Sequence, residues 1–92
     1  MNLKVFAQRF NREIMLLGFP EDVTEKGKAI AKVFGVSRHL ANAMIFGYTS
    51  PSSDQINKIA QILDVDPHWL IGKADKKKAY VHRETEPAET VS

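Results

Sequence analysis

Lys28-Ala29-Ile30-Ala31-Lys32-Val33-Phe34-Gly35-Val36-Ser37-Arg38-His39-Leu40-Ala41-Asn42-Ala43-Met44 decides the fold of this chain. Two short helices that cross steeply, with three or four residues between them, need a small residue where their backbones approach. Ala31 supplies it. The tight turn needs a residue that tolerates positive φ, and Gly35 does so without steric penalty. Val36 plugs the angle between the helices, while Ala41 and Met44 face back into a core. The first of the pair is expected from about Gly27 to Phe34, with Ile30, Ala31 and Phe34 inward and Lys26, Lys28 and Lys32 outward. Ser37 is a good N-cap for the second, which runs to about Phe46 and closes at Gly47.

Moving outward, Leu3, Phe6, Phe10, Ile14 and Leu17 recur at spacings of three and four, the stripe of one buried helical face. Gly18 reads as its stop and Phe19-Pro20-Glu21-Asp22 as a connecting turn. Downstream, Tyr48-Thr49-Ser50-Pro51 is a loop. Ser52 and Gln55 then have capping-box spacing ahead of a stripe of Ile56, Ile59, Ala60 and Leu63. Asp66-Pro67 offers a cap and an N1 proline for a last short helix carrying Trp69, Leu70 and Ile71, stopped by Gly72. Period-two alternation occurs only weakly, over Ala79 to Thr85. The expected fold class is all-α: five short helices in a domain spanning 1–72, with 73–92 a polar tail that is flexible or contributes to dimerisation.

Composition narrows the function. The chain has 92 residues, no cysteine, 43% apolar and 26% charged residues and a net charge of +2. A chain of this length buries only about 60% of its unfolded surface, enough for one modest core. The absence of cysteine removes disulfides and thiolate metal sites and suits a reducing cytoplasm. No stretch approaches the ~20 apolar residues of a membrane span, and the start at Met1-Asn2-Leu3-Lys4 lacks a signal core. His39, His68 and His82 have no metal-ligand spacing, and neither a phosphate loop nor a nucleophile motif occurs. The expectation is therefore a non-enzyme, with no cofactor, no metal and no small-molecule substrate. The charge is segregated: Lys26, Lys28, Lys32 and Arg38 lie between residues 26 and 50, a span without any acid.

The central pair of helices follows helix-turn-helix grammar, in which the second helix presents its N-terminal residues to the DNA major groove. The chain resembles the Xre-type, lambda-repressor-like family of bacterial and phage regulators, its phage-repressor-like branch in particular. The similar residues are Gly27-Lys28, Ile30-Ala31, Phe34-Gly35-Val36-Ser37, the Pro51 loop, Ile59-Ala60 to Leu63-Asp64-Val65, and Trp69-Leu70-Ile71-Gly72. The resemblance spans about 3–72. It implies a five-helix lambda-repressor-like domain and a homodimeric transcriptional regulator, a repressor, bound to palindromic double-stranded DNA.

Carried over by position, Ser37, Arg38, His39, Asn42 and Ala43 become base contacts. Arg38 would take guanine O6 and N7, and Asn42 adenine N6 and N7, each worth ~1–3 kcal/mol of discrimination. Ala43 would meet a thymine methyl. Phosphate contacts are expected from Lys26, the amides around Gly27, Lys28, Tyr48, Thr49 and Ser50, with Arg9 and Arg12 as further candidates to reach the backbone. Ile45, Phe46, Trp69, Ile71, Tyr80 and Val81 are the candidates for a dimer interface, with Trp69 more readily read as ordinary core. Two departures stand out: Lys26-Gly27 where many relatives carry Thr-Gln, and Ile45-Phe46 where many carry charge. The second motivates an alternative, a protein-interaction module (antitoxin-like or anti-repressor) built on the same fold.

Overall fold

A computed structural model describes residues 1–81 and places five α-helices among them: α1 (Leu3–Leu16), α2 (Val23–Phe34), α3 (Arg38–Phe46), α4 (Ser53–Leu63) and α5 (Pro67–Leu70). Each begins on a side chain that accepts a hydrogen bond from the backbone N–H three residues on. The pairs are Asn2 with Val5 (3.1 Å), Asp22 with Glu25 (3.0 Å), Ser37 with Leu40 (3.0 Å), Ser52 with Gln55 (3.2 Å) and Asp66 with Trp69 (3.2 Å). Such caps satisfy N–H groups that the helix itself leaves without partners. At α4 the box is reciprocal, because Ser52 N–H donates to Gln55 Oε1 at 2.9 Å. The expected all-α class holds, with one boundary corrected. α2 starts at Val23 and not near Gly27, because Asp22, the last residue of the expected turn, caps it.

The core joins Phe6, Phe10 and Ile14 of α1 to Ile30 and Phe34 of α2, Met44 of α3, Ile59 of α4 and Leu70 of α5. Phe10 meets Phe34 edge to face at 5.4 Å and Phe6 at 5.7 Å. Each such fully buried side chain contributes about 1.5–3 kcal/mol. Leu17 departs from its expected place in this stripe and is exposed. The helix ends at Leu16, and the left-handed Gly18 swings Phe19 back so that its N–H donates to the Ile14 carbonyl at 3.0 Å. The Phe19 ring then lies 6.1 Å from Phe34, taking the position at the end of the stripe.

Beyond Gly72 the chain does not leave the domain. Residues 73–81 run back across α1 and α5 as a strap. Arg9 Nη1 donates to the carbonyls of Trp69 and Ala74, Lys77 Nζ meets Glu13 Oε2 at 2.7 Å, Asp66 N–H donates to the Lys78 carbonyl at 2.8 Å, and Tyr80 Oη bonds Asn57 Oδ1 at 3.1 Å. The folded unit therefore extends past the expected boundary at 72, and Arg9 is occupied within it. Trp69 is only 8% exposed, sandwiched under the Arg9 guanidinium (4.8 Å) and the Lys77 ammonium (5.4 Å). It belongs to the core, the favoured of its two readings, and not to an interface. Ala79 to Val81 is not a strand, and the remainder of the weakly alternating stretch lies outside the described residues, as does the rest of the tail. Among the described residues no helix is long and apolar enough to cross a membrane.

Candidate nucleic-acid interface

The turn between α2 and α3 is three residues long. Gly35 adopts φ +67, and the Val36 N–H donates to the Ala31 carbonyl at 3.2 Å while the Val36 side chain enters the core. This directs the start of α3 outward. Ser37 Oγ accepts from Leu40 N–H, so its acceptor role is committed to the cap and its hydroxyl proton remains to donate. Arg38 and His39 are exposed and Asn42 is half-buried. Among the described residues no hydrogen bond or ion pair engages the side chains of these three.

Below them lies Gly27. A Cβ built at that position would stand 2.7 Å from Asn42 Oδ1 and 3.8 Å from Arg38 Nε. A glycine at this point on α2 is what lets the two side chains lie over it. Its expected role as an amide donor to phosphate is corrected by the position of α2. Four residues inside the helix, a backbone N–H is turned to the i−4 carbonyl, and Lys26 N–H donates to the Asp22 carbonyl at 2.7 Å. The open amides of the first turn stand beside Glu21, Asp22 and Glu25, whose charge opposes an anion.

The remaining candidates separate into two groups. His39, Asn42, Ala43, Phe46, Tyr48 and Thr49 share one groove of about 460 Å³ with Val23. Ala43 is largely buried, at 7% exposure, and lines the groove between Asn42 and Phe46. Lys28 is exposed and pairs with Glu25 at 3.4 Å, a contact that water competes with easily. Lys26 instead borders a second groove with Asn11, Arg12 and Phe19, and Ser50 a third with Met1 and Pro51. Of the interface candidates, Ile45, Ile71 and Tyr80 are packed on the core, whereas Phe46 and Val81 are exposed beside different grooves.

The chain matches no family model, no curated protein and no solved structure. What this face can do chemically follows from its own groups. Arg38 offers a planar fork of donors, Asn42 a paired donor and acceptor, and His39 a ring that donates or accepts. Sequence reading missed two residues here. Val23, which falls between the expected turn and the expected start of the helix, lines the groove because α2 includes it. Asn11 donates from Nδ2 to the Ile45 carbonyl at 2.9 Å, tying the end of α3 to α1. No periodicity signals such a contact, since the partners are 34 residues apart. Among the described residues no group of three or more His, Cys, Asp or Glu side chains is placed to hold a metal ion.

Proposed function

We propose that this protein is a sequence-specific DNA-binding regulator of the Xre-type, lambda-repressor-like kind, acting in the cytoplasm as a homodimeric repressor on a palindromic operator. One observation carries the reading. A Ser37-capped helix leaves a left-handed turn with Arg38, His39 and Asn42 displayed together, uncommitted to any partner among the described residues, on a segment without a single acid from 26 to 50. A cationic face with planar donors suits base edges in a major groove wide enough to admit one helix. Lys28 and Thr49 flank that face at positions suited to phosphate.

In-vitro selection from a random duplex pool tests the proposal. The expected result is a short palindrome whose half-site spacing reports a two-fold dimer. Arg38→Ala and Asn42→Ala are each expected to relax preference at particular bases and to weaken binding by ~1–3 kcal/mol. Lys28→Ala should weaken all sequences alike and reduce the salt slope by about one. Selection that returns no enriched sequence would remove the proposal.

A second reading, a protein-interaction module, is favoured by a separate observation: Phe46 and Tyr48 are stacked on one another and exposed to solvent. A chain that ignores DNA and forms a stoichiometric complex with one protein would decide for it.

A further inference from the structure

Four helices end in the same way. A left-handed residue is followed by a hydrophobic one, in Gly18-Phe19, Gly35-Val36, Gly47-Tyr48 and Asp64-Val65. In each pair the second residue donates its N–H to the carbonyl five residues back, at 3.0, 3.2, 2.9 and 2.9 Å. This motif ordinarily folds its hydrophobic residue onto the helix it terminates. Phe19, Val36 and Val65 do so and pack on the core. Tyr48 does not. It is 77% exposed, with its ring stacked on the 51% exposed Phe46 at 5.7 Å. Together with Val23 and Ala43 the two rings form a mainly apolar groove whose polar members are His39, Asn42 and Thr49. His39, Asn42, Ala43 and Phe46 follow one another at helical spacings along a single stripe of α3.

We infer that this groove reads the 5-methyl groups of thymine, with Phe46 and Tyr48 as specificity-determining residues; the inference rests on the DNA-binding reading above. The major-groove edge of a duplex carries one apolar group, the thymine methyl. A groove that is apolar and continuous with Asn42 and His39, with every lining residue but Val23 on the acid-free segment 26–50, complements that group and the polyanion around it. A second protein surface fits less well. Stable protein interfaces use roughly 800 Å² per partner, whereas an aromatic side chain supplies about 150–250 Å² when wholly covered. Phe46 and Tyr48 are already partly covered by one another. Ala43 is only 7% exposed and adds little apolar surface, so recognition of the methyl falls mainly to the two rings at the end of α3.

The experiment uses the full chain and synthetic duplexes carrying its selected site. Each thymine is replaced in turn by deoxyuridine, which removes the methyl and keeps every hydrogen-bonding group. One or two positions in each half-site are expected to lose about fourfold in affinity, the worth of one buried methyl-sized group. In Tyr48→Ser and Phe46→Ser chains that thymine-to-uracil ratio should fall close to one, while preference at the bases read by Arg38 persists. Tyr48 is exposed enough that its replacement leaves the fold intact. Equal affinity for thymine and uracil at every position, with site preference retained, would overturn the inference and leave the DNA-binding reading standing. The same holds if both variants keep the wild-type ratio, or if Phe46→Ser merely turns a dimer into a monomer. Absence of any preferred site would instead remove the underlying reading and this one with it.

Discussion

Gly27 shows how one position is decided at the residue scale. Its missing side chain makes room for Asn42 Oδ1, which a Cβ would meet at 2.7 Å. Gly27→Ala should therefore separate stability from recognition. An alanine inside α2 gains up to about 1 kcal/mol of helix propensity, and the group displaced is the end of a flexible side chain. Urea unfolding is expected to show a chain at least as stable as the parent, while selection shows relaxed preference at the base assigned to Asn42. Lower stability with preference intact would contradict this. Asp64 is the complementary case. It holds φ +58 at the end of α4, where a side chain is strained and a negative charge faces the carbonyl end of the helix. Asp64→Gly should stabilise the chain by about 0.5–1 kcal/mol, measured by the midpoint shift at constant m. Ser37, Ser52 and Asp66 were legible as caps because a cap reaches only three residues along the chain. The purpose of Gly27 was not, since the atom it accommodates lies fifteen residues away on another helix.

At the scale of elements, legibility followed the strength of local signals. α3, α4 and α5 were placed from a cap at one end and a stop at the other. For α2 the local signals mislead by four residues, because Gly27 resembles a helix start and Asp22 a turn residue; only the bond from Glu25 N–H to Asp22 shows which is the cap. The strap over 73–81 was read as a polar tail on composition, since it carries few apolar residues to bury. Its order comes from polar groups whose partners are distant: Lys77 with Glu13, and Arg9 with the carbonyls of Trp69 and Ala74. Glu13 is 8% exposed, so Lys77→Ala leaves a poorly hydrated carboxylate. The expected destabilisation is about 1–2 kcal/mol, moderated by the half-exposed lysine. A Lys77→Ala, Glu13→Gln double variant should recover part of that loss in thermal or urea melts. A Lys77→Ala chain as stable as the parent would mean that the pair does not hold the strap.

Over the whole molecule the net charge of +2 conceals its distribution: residues 26–50 carry four Lys/Arg and no acid, while the eleven acids lie at Glu13, at 21–25, at 54–66 and beyond residue 74, where other basic residues accompany them. If each half-site neutralises about four phosphates, affinity for it should fall roughly a hundredfold between 50 and 200 mM salt. Fluorescence anisotropy titrations at several salt concentrations measure this, and a flat dependence would speak for the protein-interaction reading. The sequence by itself determined the number and type of helices, most of their ends and the stretch in which Arg38, His39 and Asn42 sit together. Those features depend on groups three to five residues apart, and such distances are written into the chain. Only the tertiary structure decided that Ala43 and Trp69 are covered, that Leu17 is not, and that residues 73–81 bind back onto α1. It alone placed Phe46 and Tyr48 beside Val23 in one groove with His39 and Asn42. Burial is set by what arrives from elsewhere in the chain, and no local pattern records which of several apolar side chains will find the space already filled.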